Sequence, residues 1–350
     1  MSHQYERPEA QDGALRLHLN ENTAGCSPNV ARVLRDLTRE AAAVYPDYDA
    51  VIAATARFFG VGQDNVVLTN GLDDGIMLAT LVSLRGAPAD DPFEAIVVQP
   101  AFDMYAACAD ALGGRIIDVP PMQDFFFPLQ RVLQSIGPRT RIIFLTNPNN
   151  PTGLSIPRSS IAAVAAAAPD ALVFLDEAYA DFSGQTLIDD AAAGRIPNLV
   201  VGRTFAKAFG LAGLRAGAVV SSAATLAPIR RAVLPYTLNA YAAAALPAAI
   251  ADREYYEWYL AEVRESKRLL YEMLARVGVR FWPSDGNFVL ACFGDDELPR
   301  VISGLARRGI NVRDRSRDAG CAGCARITTG VLEHTRRLIA ALEEVLCAAR

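Results

Sequence analysis

The chain of 350 residues has only three histidines, His3, His18 and His334, no run of lysines or arginines, and no long uninterrupted apolar stretch. The scarcity of histidine argues against a zinc centre. Cys321-Ala-Gly-Cys324 has the spacing of half a metal site, but neither a second pair nor suitably placed histidines accompany it, so the segment reads as a turn. The six cysteines are scattered and no export signal precedes them, so reduced thiols are expected. Lys and Arg total 34 against 39 Asp and Glu, without the clustered basic footprint of a nucleic-acid binder. The longest apolar runs, residues 161–168 and 241–250, are alanine-rich and stop well short of a membrane span. The polar start, residues 1–19, matches neither a secretory signal nor a transit peptide, so a cytoplasmic location is expected. What remains is 51% hydrophobic, ample for one large or two modest domains without disulfide or metal staples.

From Asn65 to Val220 short apolar runs alternate with helix-like stretches: VVLT at Val66, EAIVVQ at Glu94, RIIFLT at Arg141, LVFLD at Leu172, LVVGR at Leu199 and AGAVV at Ala216. Runs of this length with few internal charges are what strands buried on both faces look like. The pattern predicts an α/β domain with a mostly parallel sheet between helices, its chemistry at the carboxyl ends of the strands. Beyond Pro247 an amphipathic helix is predicted over about residues 252–277. Two strand-like segments and a terminal helix from about His334 follow, as in a smaller α+β domain. The expected organisation is an N-terminal arm over 1–27, a large domain over 28–247 whose first helix can pack with the small domain, and a small domain over 248–350.

Four segments carry candidate chemistry. In RTFAKAFGLAGLR, Lys207 sits among small and apolar residues, where desolvation would disfavour the ammonium and free an amine for Schiff-base chemistry. LVFLDEAY ends a buried strand on Asp176, a carboxylate that needs a cation opposite it, such as a pyridinium nitrogen; helix capping, or a metal shared with Glu177, are the competing roles. TNPNNPTG forces a turn after another strand and places Asn150 at the same sheet edge, its amide able to donate to a ring oxygen. TNGLDDGI leads from a strand into a helix, so Gly71, Leu72 and Asp73 would offer backbone amides to an anion. Thr204 and Arg215 bracket Lys207 with a hydroxyl and a guanidinium suited to the same phosphate.

Taken in order, LNEN at Leu19, YPD at Tyr45, PAFDMY at Pro100, NPNNPTG, DEAY, RTFAKAFGLAGLR, GNF at Gly286 and ARITTG at Ala325 resemble the fold-type I pyridoxal-phosphate enzymes, and among them the histidinol-phosphate aminotransferase family. The resemblance runs from about Leu19 to Gly330. It implies pyridoxal 5′-phosphate held as a Schiff base on Lys207, with Asp176 on the pyridinium proton, Asn150 and Tyr179 on the ring hydroxyl and Phe102 stacked on the ring. It implies a phosphate site of Gly71, Leu72, Asp73, Thr204 and Arg215. Tyr45 would reach in from the neighbouring subunit of a homodimer with shared active sites. Arg326 would take the substrate's anionic group, assisted by Asn22 and Arg313, with Tyr5 as the arm residue that touches substrate phosphate. The implied substrates are a small-molecule amino donor and a 2-oxo acid, with no nucleic acid, membrane or metal.

The chain departs from the family pattern at Thr23, where proline usually follows LNEN, at Ala206, where serine commonly precedes the lysine, and at Phe102, usually tyrosine. These changes bear on substrate. The expected reaction is histidinol-phosphate:2-oxoglutarate transamination. The rivals are transamination of an aromatic or other amino acid and a reaction like that of threonine-phosphate decarboxylase.

Overall fold

The computed structural model describes residues 13–88 and 90–347 and contains two sheets. In chain order the strands are β1 (Leu15–Leu17), β2 (Val66–Asn70), β3 (Glu94–Val98), β4 (Arg115–Val119), β5 (Thr140–Thr146), β6 (Leu172–Asp176), β7 (Leu199–Thr204), β8 (Ala216–Val220), β9 (Arg280–Trp282), β10 (Phe288–Cys292), β11 (Ile310–Asp314) and β12 (Cys324–Thr328). Strands β2 to β8 form a seven-stranded sheet in the order β2-β8-β7-β6-β5-β3-β4. Strands β3 to β7 are parallel, and β8 runs antiparallel to both its neighbours. The class is therefore α/β with a mostly parallel sheet, as the sequence predicts.

All six apolar runs are strands of this sheet. Side chains alternate across it. Ile143, Leu145, Val173, Leu175 and Val201 enter one core, and Ile142, Phe144, Phe174 and Val200 enter the other. Because both faces are covered, the runs show no polar alternation. Each of these side chains is essentially fully buried, worth roughly 1.5–3 kcal/mol apiece, so the central strands make a stiff platform for the polar residues at their ends. The strand not anticipated, β4, reads Arg-Ile-Ile-Asp-Val. It lies at the sheet edge, where exposed charges are tolerated and the apolar run is broken.

The second sheet has the order β1-β11-β12-β10-β9 and is backed by the helices Arg253–Arg276, Leu298–Arg307 and Leu332–Cys347. The long helix starts where the sequence places it, with Asp252 Oδ1 accepting from the Tyr255 N–H at 3.3 Å. The segment read as an arm contributes β1, which runs parallel to β11 with Leu15 opposite Ile310 and Leu17 opposite Val312. Three residues of Leu-Arg-Leu are too few for periodicity to reveal a strand. The helix Pro28–Asp36 packs on the helix Ala240–Ala251. No helix among the described residues is long and apolar enough to cross a membrane.

Candidate active site

Strands β5, β6 and β7 end side by side on Thr146, Asp176 and Thr204, with Thr146 opposite Asp176 in register. A cleft of about 1110 Å³ opens over these ends, with one wall from the seven-stranded sheet and its helices and the other from the C-terminal sheet and residues 16–21. This is the position that open parallel sheets offer to ligands.

Asp176 is 4% exposed. Its Oδ2 accepts from the Tyr105 hydroxyl at 2.7 Å, and its Oδ1 accepts from the Ala178 N–H at 2.9 Å. The Tyr105 hydroxyl also lies 2.8 Å from Thr146 Oγ1. Asp176 forms no ion pair among the described residues. Burial pushes its carboxyl up to about 6 against the pull of those two hydrogen bonds. The Ala178 bond is a local capping turn. A metal shared with Glu177 is not formed, because successive strand-end residues point oppositely. Glu177 accepts from Thr186 Oγ1 at 2.5 Å and the Leu187 N–H at 2.7 Å and lies 3.6 Å from Arg203, while no metal-holding group of His, Cys, Asp and Glu occurs among the described residues.

Lys207 follows β7, and its Nζ donates to the Leu19 carbonyl at 3.0 Å, 5.8 Å from the centre of the Tyr179 ring. The Tyr179 hydroxyl accepts from Asn20 Nδ2 at 3.0 Å. Asn150 Oδ1 accepts from Arg326 Nη1 at 2.6 Å, which leaves the Asn150 amide hydrogens able to donate into the cleft. Phe102 lines the same space, edge-on to Tyr105 with ring centres 5.8 Å apart.

At the other end of this wall, helix Gly71–Leu84 begins where β2 stops, and its first amides have no intrahelical acceptor. Arg215 Nη2 pairs with Asp73 Oδ2 at 2.7 Å. Gly71 has φ +75°, and a Cβ there would lie 2.4 Å from Arg215 Nη2, so only glycine lets the guanidinium rest against the helix start. Thr204 Oγ1 accepts from the Ala206 N–H at 3.2 Å. Leu72, Asp73, Thr204 and Arg215 all line the cleft.

Arginines dominate the opposite wall. Arg326 of β12 is 6% exposed, donates through Nη2 to the His18 carbonyl at 2.6 Å, and is the register partner of Arg313 on β11. Arg315 pairs with Asp318, and Arg16 pairs with Glu21 at 2.7 Å. His18 is buried here with neither ring nitrogen hydrogen-bonded among the described residues. Burial, and then Arg16, hold its pKa below the ordinary histidine value, which keeps the ring neutral.

Three sequence-predicted residues fall outside this assembly. Asn22 lines a neighbouring recess, its Nδ2 donating to the Ala208 carbonyl and its Oδ1 accepting from the Ala24 N–H. Tyr45 is 74% exposed and stacks on Tyr236 at 3.9 Å, away from the cleft of its own chain. Tyr5 lies outside the described residues. Conversely, Tyr105, Thr146, His18, Asn20 and Arg315 were not anticipated. Tyr105 sits inside PAFDMY, but its aim at Asp176 comes from the packing of helix Met104–Ala111. Arg315 follows Arg313 by two, the spacing that keeps strand residues on one side.

This set of groups fits pyridoxal phosphate. A buried carboxylate without a cation matches a protonated ring nitrogen, a primary amine stands close by, and an open helix start beside a guanidinium matches a phosphate.

The aminotransferase class I and II family matches residues 13–342. The chain is 37% identical to histidinol-phosphate aminotransferase 2 of Ralstonia nicotianae over 342 residues, covering 96% of this chain and 89% of that protein. It is 35% identical to the histidinol-phosphate aminotransferase of Methanosarcina barkeri, covering 94% and 88%. Its fold superposes on the crystal structure of histidinol-phosphate aminotransferase from Sinorhizobium meliloti in complex with pyridoxal-5′-phosphate, with a TM-score of 0.86 and 26% identity over 96% of this chain and 92% of that one. With a buried carboxylate that has no ion-pair partner among the described residues, an adjacent lysine and an anion cradle on the same sheet edge, the chain belongs to the aminotransferase class I and II family and is a pyridoxal-phosphate-dependent aminotransferase.

Proposed function

We propose that the chain moves the amino group of histidinol phosphate to 2-oxoglutarate, in two half-reactions that share one cleft. The observation that carries the reading is the convergence of Lys207, Asp176 and Arg326 on a single cavity, with two further arginines, Arg313 and Arg315, beside Arg326. A guanidinium fork offers parallel donors to a phosphate or a carboxylate, so the same wall can hold the phosphate of one substrate and the carboxylate of the other. Relatives 32–37% identical that carry this substrate in their names support the choice.

Pyridoxal phosphate, when bound, supplies a carbonyl that condenses with amines and a protonated ring that withdraws electrons from the reacting carbon. Asp176 would hold the proton on the ring nitrogen, its carboxylate regaining the cation that burial denies it. Asn150 and Tyr179 would hydrogen-bond the ring hydroxyl, and Phe102 would cover the ring face. The amides of Gly71, Leu72 and Asp73, with Thr204 and Arg215, would fix the phosphate. Lys207 Nζ would be the attachment point and then, once displaced by substrate, the base that takes the proton from the amine-bearing carbon and delivers it to the cofactor's carbonyl-derived carbon, across the nitrogen that joins the two.

The reading includes a homodimer in the cytoplasm, with the exposed Tyr45 serving the partner's phosphate site and Asn22 and Tyr5 assisting substrate. It is tested by the absorbance of the purified protein. Adding histidinol phosphate should shift the cofactor band, and adding 2-oxoglutarate should restore it. A band that responds only to aromatic amino acids reassigns the substrate. Carbon dioxide release from phosphothreonine without use of a keto acid reassigns the reaction.

A further inference from the structure

Three thiols gather at one end of the C-terminal sheet, where Cys292, Cys321 and Cys324 pack with Leu290, Phe125 and Trp282. None of them lines the cleft. Cys292 ends β10, Cys324 begins β12, and the two are opposite each other in register. The hydrogen bonds decide what kind of pair this is. The Thr329 N–H donates to the Asn287 carbonyl at 2.8 Å and the Phe293 N–H donates to the Gly323 carbonyl at 2.9 Å, so those two opposed pairs are of the hydrogen-bonded kind. Such pairs alternate along an antiparallel ladder, which puts Cys292 and Cys324 on a non-hydrogen-bonded pair.

Non-hydrogen-bonded pairs bring opposed Cα atoms to about 4.5 Å, with their side chains close together. That separation lies inside the range of about 4.4–6.8 Å that a disulfide bridges without moving backbone. The two thiols already converge: both donate to the Ala322 carbonyl, Cys292 Sγ at 3.6 Å and Cys324 Sγ at 3.5 Å. Cys321, the nearer cysteine in sequence, is turned to a different acceptor, the Ala319 carbonyl at 3.8 Å. Access divides the pair. Cys292 is partly buried and keeps some surface for a small oxidant to reach, whereas Cys324 is 1% exposed.

We propose that Cys292 and Cys324 are a redox-active dithiol site whose oxidant is a peroxide. Cys292 Sγ attacks one oxygen of hydrogen peroxide, forming a sulfenic acid and releasing water. Cys324 Sγ then attacks the sulfenic sulfur, forming the S–S bond and releasing a second water. Overall two thiols are oxidised, one peroxide is reduced, and two waters leave. The bond would tie β10 to β12 two residues from Arg326, on the strand face that also carries that guanidinium.

The test treats the purified full-length protein, cofactor bound, with hydrogen peroxide, then denatures, alkylates and digests it with trypsin. Residues 281–300 carry Cys292, and residues 318–326 carry both Cys321 and Cys324. Expected is a linked pair of these peptides, lighter by two hydrogens than their sum, with one thiol of 318–326 alkylated. Reductant should abolish it, Cys292→Ser should lack it and Cys321→Ser should keep it. Exposed Cys347 reports that the oxidant reached the protein. A disulfide confined to peptide 318–326 would overturn the proposal. So would Cys292 and Cys324 remaining alkylatable while Cys347 is oxidised, or Cys292 proceeding to sulfinic acid with Cys324 still free.

Discussion

The two walls of the cleft are built from different materials. The wall from the seven-stranded sheet offers single, dissimilar groups, each at the end of a different strand: a carboxylate on β6, a hydroxyl on β7, an amine in the bend after it. The wall from the C-terminal sheet repeats one group, the guanidinium, on neighbouring strands. Dissimilar groups suit a ligand that never changes, whose every atom can be met by its own partner. Repeated guanidiniums suit ligands that alternate, since they ask only that an anion be present.

Substitutions on the two walls should therefore fail in different ways. The largest effect is expected from Asp176→Asn, which should lower turnover by at least about a hundredfold, because an amide cannot balance a ring cation. Without cofactor the same variant should be more stable than the wild type. The unfolded Asp176 carboxyl loses its proton near 3.8 and the folded one near 6. Raising the pH through that window therefore favours the unfolded chain, by about 1.4 kcal/mol per unit. Thermal melts of the cofactor-free proteins should show the advantage growing from pH 4 to pH 6 and constant above. An advantage that does not vary with pH would break the account of a desolvated carboxylate.

Next in size is Arg326→Lys, which keeps the charge and loses the fork. KM for the amino substrate should rise about 10- to 100-fold, with the cofactor absorbance of the resting protein unchanged. A changed resting spectrum would mean that this wall also holds the cofactor. The smallest effect on chemistry is expected from Glu177→Gln. Glu177 neighbours Asp176 in sequence but braces Thr186, Leu187 and Arg203 on the far side. Turnover should hold, and stability should change by no more than about 1–3 kcal/mol, since the neutral amide loses one acceptor but escapes the burial that pushes the Glu177 carboxyl up to about 7. A loss of turnover with stability intact would erase the distinction between the two carboxylates.

The same contrast explains what could be read in advance. Lys207, Asp176, Asn150 and Arg215 each stand next to a buried strand or its turn, so local apolar runs announce both the strand and the residue at its end. Tyr105 and Asn20 carry no such mark. The first acts on Asp176 across 71 positions and the second on Tyr179 across 159, so only packing brings them into range. His18 has no other histidine near it in the sequence, and its place beside Arg326 follows from the pairing of β1 with β11. Strand β4 lacks the continuous apolar run of the central strands because an edge strand needs none.

That pairing of β1 with β11 has a temporal side. Leu15–Leu17 emerge from the ribosome nearly three hundred residues ahead of the partner that Ile310–Asp314 provide. The stretch just after β1 supplies the Leu19 backbone carbonyl to Lys207 and the Asn20 side-chain amide to Tyr179. The parallel sheet can collapse during synthesis, but this stretch has no strand to join until residues 310–314 are made, and closing so long a loop is slow. The catalytic lysine thus receives its neighbours last, and a nascent chain passes most of its synthesis with its reactive centre still unassembled.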